Sequence, residues 1–529
     1  MASTVEIAAA PVRRGRWLAA VRAALLTPKA AAAVVLALTA WSLVLRTRAI
    51  GGSYWIDEGI AVGIASHPLA QIPGLLQQDG SPPLYYVLLH NWMALFGTQE
   101  SATHALSLVF ALLCVPAAWW AGASLFGPAA GLIAAVIAAF DPFLSVYADE
   151  TRMYALVVLL GIVAGAAFLH AFAFRRRRYV PVFGVALALL LYTHGWALFF
   201  AAGAAGAAAL LVVLGPDRRR LLVDGAVVVA IVGVLFAPWI PTFLFQAAHT
   251  GAPWSLGSTW RAAYSIPFAL FGPWLVSIPL LGGAAVGLVM ARRERPPAAE
   301  VRALVAGVAL VAIVIVTAYL GAKVASGWAA RYFSMFLGPL IVVLGAALAR
   351  ARWIGLAALV VVSAQWAIPH TPARDIKSNV RPVAARVAPI LRHGDLVLTS
   401  HPEQVPVLHY YLPPGLRFGT PLGPVRDPRV MDWRDALSRL RAAPPRAMLE
   451  RQLATVPPGA HVVLVRPKLS KRGWTAPWLH LVSRRTLQWL DLLKADPRFR
   501  LLRKVPRHGW GHPAMVRVRA LVFVRTRGA

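Results

Sequence analysis

The chain has 529 residues, 58% of them hydrophobic and only 14% charged, with 53 Lys and Arg against 21 Asp and Glu for a net charge of +32. An average soluble domain carries roughly a quarter charged residues, so an ordinary soluble fold is excluded, and anionic lipid headgroups explain the basic balance more economically than a nucleic-acid partner. The single cysteine, Cys114, lies in an apolar run and excludes a disulfide within the chain.

Residues 1–29 read as a basic cytoplasmic N-terminus, with Arg13, Arg14, Arg16, Arg22 and Lys29 ahead of the first apolar run. No small-residue cleavage site follows that run, so it reads as a retained first transmembrane helix rather than a cleavable leader. Runs long enough to cross hydrocarbon then predict helices at 30–47, 102–123, 128–145, 152–174, 179–194, 196–214, 221–240, 265–290, 301–320, 332–349 and 353–369, about eleven in all. The stretch Ala262–Met290 carries Pro267, Gly272, Pro273 and Pro279, and reads as one broken helix or two short ones.

The short basic loops fix a consistent orientation. With the N-terminus inside, Arg175–Arg178, Arg218–Arg220, Arg292–Arg295 and Arg350–Arg352 all fall in the cytoplasm, as the positive-inside rule expects. The loop 48–101, Asp149–Arg152, the turn Thr193–Trp196, the loop Pro241–Tyr264 and Gly321–Arg331 then face outward. So does residue 371 onward, where apolar runs shorten to strand length at Leu396–Thr399, Val462–Val465 and Val516–Val524. Amphipathic stretches such as Asn379–Arg392 and Ser483–Leu493 alternate with these strands, which predicts a small extracytoplasmic α/β domain.

The first outer loop reads Ser53-Tyr-Trp-Ile-Asp-Glu-Gly59. Adjacent carboxylates are uncommon in so acid-poor a chain, and near a membrane face they are costly. Asp57 fits a general base that takes the proton of a weakly nucleophilic hydroxyl; a loop acid or helix N-cap is the plainer reading. Residues 60–78 look like an amphipathic helix on the membrane surface. Asp79-Gly-Ser-Pro-Pro-Leu-Tyr-Tyr86 follows, then His90 and Trp92. Asp79, Tyr85 and His90 are candidate substrate contacts, or ordinary interfacial turn residues.

The second outer loop is Tyr147-Ala-Asp-Glu-Thr-Arg-Met-Tyr154. With a helix starting near Thr151, Asp149 and Glu150 sit at its positive end, which suits acids. Arg152 at that same end is better explained as a ligand for a phosphate or other anion, with Tyr154 beside it. His194, in the Tyr-Thr-His turn, is a candidate substrate contact or a plain interface histidine. Lys323, Trp328, Arg331 and Tyr332 place two cations on an outer loop. They read as a phosphate site, with Arg331 forking onto two oxygens and Lys323 acting as a point charge, or as side chains snorkelling to headgroups. There is no metal-binding spacing and no glycine-rich nucleotide loop. The sequence requires no cofactor, and a divalent metal stays open.

Taken together, the acidic pair, the Pro-Pro-Leu-Tyr-Tyr segment, the acid-x-Arg-x-Tyr entrance, the Tyr-Thr-His turn and the late Arg-Tyr resemble the GT-C glycosyltransferase superfamily over residues 30–370. The bacterial branch related to protein O-mannosyltransferases, aminoarabinose transferases and lipopolysaccharide-core galacturonic-acid transferases is the nearest in pattern, at Trp55–Gly59, Ser81–Gly97 and Glu150–Tyr154. The resemblance implies a polytopic α-helical membrane enzyme of the cell membrane. It would move a sugar from a polyprenyl-phosphate donor to a cell-envelope glycan, lipid or protein.

It also implies roles. Asp57 would be the base, Glu58 would orient it or contact the acceptor, and Glu150 or Asp149 would supply the second acid. Arg152, Lys323, Arg331 and Tyr332 would hold the donor phosphate. Where many members carry His-Pro-Pro this chain has Ser81-Pro-Pro, so no role is assigned to position 81. His401, Glu403 and the pair Tyr410–Tyr411 are candidate acceptor contacts from the C-terminal domain. A transporter or flippase of envelope lipids and an inactive assembly scaffold are the rival classes.

Overall fold

The computed structural model describes residues 27–215, 217–294, 296–368, 377–468, 475–505 and 517–526. Most of the basic N-terminal segment and the expected domain boundary at 370 lie outside these residues. Each of the eleven expected membrane helices has a counterpart. Seven elements are long and apolar enough to cross: Pro28–Ala49, Glu100–Phe126, Tyr154–Ala173, Arg218–His249, Trp274–Glu294, Ala298–Ala325 and Ala330–Arg350. The pair Pro128–Phe140 and Pro142–Ala148, bent by 50°, accounts for another, and Tyr179–Leu191, Ala197–Val213 and Arg352–Ala367 are shorter apolar helices. The chain is a multi-pass membrane protein. Large apolar side chains such as Leu36, Val229 and Trp353 lie bare on its outside, which only a lipid surround makes favourable.

The doubtful 262–290 stretch resolves at glycine and proline. Helix Ile266–Phe271 stops at Gly272, whose φ of +90° suits only glycine well, and Trp274–Glu294 begins just past Pro273 with Pro279 inside it.

Helix burial is uneven, and the unevenness places the centre of the bundle. Within Tyr154–Ala173 and Ala330–Arg350, 83% of the apolar window is buried, against 22% in the first helix. These two helices are the central pair, packed together and ringed by the others. One end of the bundle gathers the basic loops. There Arg175 pairs with Asp217, Arg177 with Asp224 at 3.2 Å, and Arg350 with Glu300. Helix Tyr154–Ala173 carries the chain from the other end to this one, so the two ends stand about 30 Å apart at 1.5 Å per residue.

The region from Lys377 to Thr526 covers the far end. Its six-stranded mixed sheet has the order β3-β2-β1-β4-β6-β5, with β1 Leu396–Thr399, β2 Arg417–Thr420, β3 Gly423–Val425, β4 His461–Pro467, β5 Phe499–Val505 and β6 Val518–Arg525. Parallel β2-β1-β4 is flanked by antiparallel β3 and β6. Three of these strands match the expected runs, and the expected amphipathic helices appear at Val380–Val387 and Pro477–Ala495.

The first loop departs from expectation. Instead of one surface helix over 60–78 there are two, Ile56–Ala65 and Leu69–Asp79, bent by 118°. The loop packs under the sheet region. A Cβ on Gly63 would meet the Arg429 carbonyl oxygen at 2.0 Å, so only glycine permits this approach. His67 Nε2 lies 2.6 Å from Asp427 Oδ2, and Trp433 N donates to Gln78 O at 2.9 Å. Apolar side chains Ile60, Ile64, Ile72 and Leu76 are buried beneath. Removing them from water at about 25 cal/mol per Å² explains why the fold-back clings to the bundle end.

Candidate active site

A cavity of about 130 Å³ opens at the covered end, lined by Asp57, Ile60, Asp79, Gly80, Ser81, Arg152, Gly251, Ala252, Trp254, Arg331, Tyr332 and Trp433. Five chain segments far apart in sequence therefore meet around one space. Asp57 and Asp79 stand at opposite ends of the fold-back and still share the cavity, so this segment re-enters and does not cross. Arg152 and Arg331 sit at the cavity-side ends of the two most buried helices, which gives the cations a rigid base.

Asp57 lies in the first turn of Ile56–Ala65. Its Oδ2 is 3.7 Å from Arg331 Nη2, and both side chains are 20% exposed. Arg331 is held by rings, its guanidinium carbon 4.6 Å from the Trp254 centroid, 5.4 Å from Tyr332 and 5.7 Å from Trp55, close enough for cation–π attraction. Arg152 Nη1 donates to the Tyr86 hydroxyl at 3.2 Å and to the Asp57 carbonyl at 3.4 Å. The Tyr86 hydroxyl in turn reaches Asp79 Oδ2 at 3.4 Å. The Nε atoms of both arginines are buried and find no hydrogen-bond partner among the described residues. Leaving charged donors unmade is costly, and the parts of both guanidinium groups that line the cavity suit an anion.

Glu58 behaves differently from its neighbour. It has no accessible surface, so it cannot touch an acceptor. Its Oε2 accepts from Trp55 N at 3.1 Å and closes the start of the helix. Its Oε1 takes Lys377 Nζ at 2.6 Å and Thr151 N at 2.9 Å, with His104 Nε2 at 2.7 Å. Of the two expected roles, orienting Asp57 is the one this geometry allows.

The second loop also differs from expectation. The helix starts at Tyr154, not near Thr151, after an irregular turn over 149–153. Helix-end electrostatics therefore do not account for Asp149 and Glu150. Glu150 is 2% exposed, is not on the cavity wall, and keeps a buried, unpartnered Oε2. Burial, then the nearby charge of Glu58, pushes its carboxyl up to about 8. Largely protonated at neutral pH, it is no second carboxylate facing the cavity. Asp149, 7% exposed, offers its backbone carbonyl to Lys377.

Several candidates are not brought to the cavity. Lys323 is exposed in the last turn of Ala298–Ala325, over the Tyr319 ring at 5.4 Å. It is not among the residues lining the cavity. Tyr85 is buried with its hydroxyl 3.0 Å from Ser107 Oγ, and His90 Nδ1 binds the Ala65 carbonyl at 2.9 Å. Tyr85 thus ties helix Leu84–Phe96 to helix Glu100–Phe126, and His90 ties it to the fold-back. Tyr154 and His194 back the cavity wall, with His194 at 4.8 Å and Tyr154 at 6.5 Å from the Tyr332 ring. Burial, then Arg152 and Arg331, lowers His194 to about 3, so it packs as a neutral ring. Among the described residues no group of three His, Cys, Asp or Glu side chains could hold a metal ion.

The proposed acceptor contacts of the sheet region are structural as well. His401 and Glu403 are 1% and 4% exposed and pair with each other at 2.9 Å, and Glu403 takes the Trp478 indole. Tyr410 and Tyr411 donate to Thr98 O and Glu100 Oε1, locking the sheet region onto the bundle. Tyr86, Trp254, Trp433 and Lys377 were not singled out from sequence. Tyr86 lay one position from a chosen residue, and the other three have no local pattern that points to the cavity.

No protein-family model matches the chain, and no curated protein matches it by sequence. Solved structures do match by shape. ArnT from Cupriavidus metallidurans bound to undecaprenyl phosphate superposes with a TM-score of 0.58 at 14% identity, over 94% of this chain and 98% of that one. The chain has the GT-C fold. The mycobacterial arabinofuranosyltransferase AftD gives 0.52 at 16% identity, over 93% of this chain and 40% of its own, so this chain spans about two fifths of it. The oligosaccharyltransferase AglB from Archaeoglobus fulgidus, in complex with an inhibitory peptide and a dolichol-phosphate, gives 0.50 at 12% identity over 82% of this chain and 69% of that one. On this GT-C scaffold the cavity sits where the first loop, the second loop and the sheet region converge.

Proposed function

We propose that this protein is a membrane glycosyltransferase that moves a sugar from a polyprenyl-phosphate donor to an acceptor of the cell envelope. The observation that carries the reading is Asp57, Arg152 and Arg331 gathered on the wall of one cavity. GT-C neighbours crystallised with undecaprenyl phosphate or bound to dolichol-phosphate add support. The positive-inside pattern puts the N-terminus in the cytoplasm and the cavity outside.

In this reading the acceptor hydroxyl oxygen attacks the anomeric carbon while Asp57 takes its proton. The bond from that carbon to the phosphate oxygen breaks, and the lipid phosphate leaves with the bonding pair. Arg152 and Arg331 meet its growing charge with donors that are already in place. Trp254 and Tyr332 give the sugar apolar faces to rest on. Tyr86 and Asp79 hold Arg152 in position. Glu58 acts only through the turn that carries Asp57. No cofactor enters this scheme.

One displacement inverts the anomeric centre. The protein in liposomes, given a polyprenyl-phosphate sugar and envelope acceptor, should yield product of opposite anomeric configuration to the donor by NMR. Retained configuration would remove a single base at Asp57.

A further inference from the structure

Lys377 opens the described part of the sheet region, and it enters the bundle end instead of staying with the sheet. It is 7% exposed. Its ammonium reaches Glu58 Oε1 at 2.6 Å, His104 Nε2 at 3.0 Å and the backbone carbonyl of Asp149. A lysine ammonium has three N–H donors; Glu58 Oε1 and the Asp149 carbonyl accept two of them, and His104 Nε2, itself 2.7 Å from Glu58 Oε1, stands beside the third. His104 is itself fixed, its Nδ1 2.6 Å from the Ile50 carbonyl.

We infer that Lys377 is a positioning residue for sugar transfer, through which the sheet region sets the distance between base and phosphate-binding cation. The inference rests on the function proposed above. Glu58 precedes no other acid in its turn, and its neighbour Asp57 is the cavity carboxylate. Asp149 lies three residues before Arg152, and Thr151 N also binds Glu58 Oε1 at 2.9 Å. Lys377 thus joins the turn bearing Asp57 to the turn bearing Arg152 through one buried cation. Without it, the Glu58 carboxylate would be left with less compensation in a dry site, and the two turns could separate. A misplacement of about 1 Å can cost about 100-fold in rate. Lys377 touches no cavity surface, so its effect should fall on turnover and not on donor capture.

The test uses the full chain in liposomes with a polyprenyl-phosphate sugar. Lys377→Ala should lower kcat about 100-fold and leave the donor KM within about threefold. Added methylammonium should restore about tenfold of that loss in Lys377→Ala and nothing in Asp57→Asn. Because a lone buried Glu58 charge could unfold the single variant, the double variant Glu58→Gln with Lys377→Met removes both charges. It should melt near wild type and still turn over slowly.

Wild-type kcat in folded Lys377→Ala, or full recovery of kcat in the double variant, would overturn the inference. So would a loss that no amine rescues and that tracks the unfolded fraction. If Asp57→Asn is inactive while Lys377→Ala is normal, only this inference falls. If Asp57→Asn transfers sugar normally, the proposed function falls first.

Discussion

The two ends of the bundle are both crowded with arginine, and they use it in opposite ways. At the basic end, Arg177 is 60% exposed and bound to Asp224, and Arg352 is 67% exposed and bound to Glu294. These charges stand in water or among headgroups, where a pair contributes little, and their value is topological. At the cavity end, Arg331 is sunk among rings 3.7 Å from the Asp57 carboxylate, Arg152 donates to the Asp57 carbonyl, and each keeps a buried Nε unused among the described residues. An arginine kept dry and under-satisfied is expensive, and such a cost is sensible where an anionic ligand arrives. Charge count alone does not separate the two ends. Burial and unmade hydrogen bonds do.

That contrast can be broken by substitution. Arg331→Ala or Arg152→Ala should each lower kcat by about 10²- to 10³-fold, the loss typical of one fixed donor on a developing oxyanion, measured as transfer in liposomes. Tyr86→Phe, which frees Arg152 from Asp79, should cost about 1.5–3 kcal/mol in the same assay, read as the fall in kcat/KM. Arg177→Ala at the basic end and Lys323→Ala outside the cavity should stay within about twofold of wild type, as surface charges do. Equal losses at both ends would erase the distinction.

A pH series sharpens it further. The Glu150 carboxyl titrates near 8 in the folded protein, against an ordinary 4.5. Folding therefore favours its protonated form. The associated stability is complete below about 4.5 and is lost as pH rises through about 8. Wild type should melt at falling temperature across that window. Glu150→Gln, which imitates the protonated acid, should show a flatter curve and near-normal activity at neutral pH. A variant curve that parallels wild type would contradict the assignment.

Much of the fold was legible because bilayer thickness dictates run length, and all eleven apolar runs found helices. Asp57, Asp79, Arg152, Arg331 and Tyr332 were legible because charge beside an apolar span is costly enough to need a reason. The sharp fold-back at His67 and Pro68 was not. Its two helices are each too short to carry a period of their own, and the sheet region holds them in place. Strands β2 and β3, with four and three residues, left no alternation to read. Lys377 stands 319 residues from Glu58, and nothing local marks its partner. Lys323 looked like Arg331's companion by proximity in sequence, but it is exposed over the Tyr319 ring and does not line the cavity.

The most direct test of the account is Asp57→Asn in liposomes, with donor binding and sugar transfer measured on the same sample. The substitution removes the proton acceptor and leaves both arginines in place. Donor binding should persist while transfer falls by about 10²- to 10⁴-fold. Unchanged transfer, or loss of donor binding with no separate effect on turnover, would contradict a base set beside two cations in this cavity.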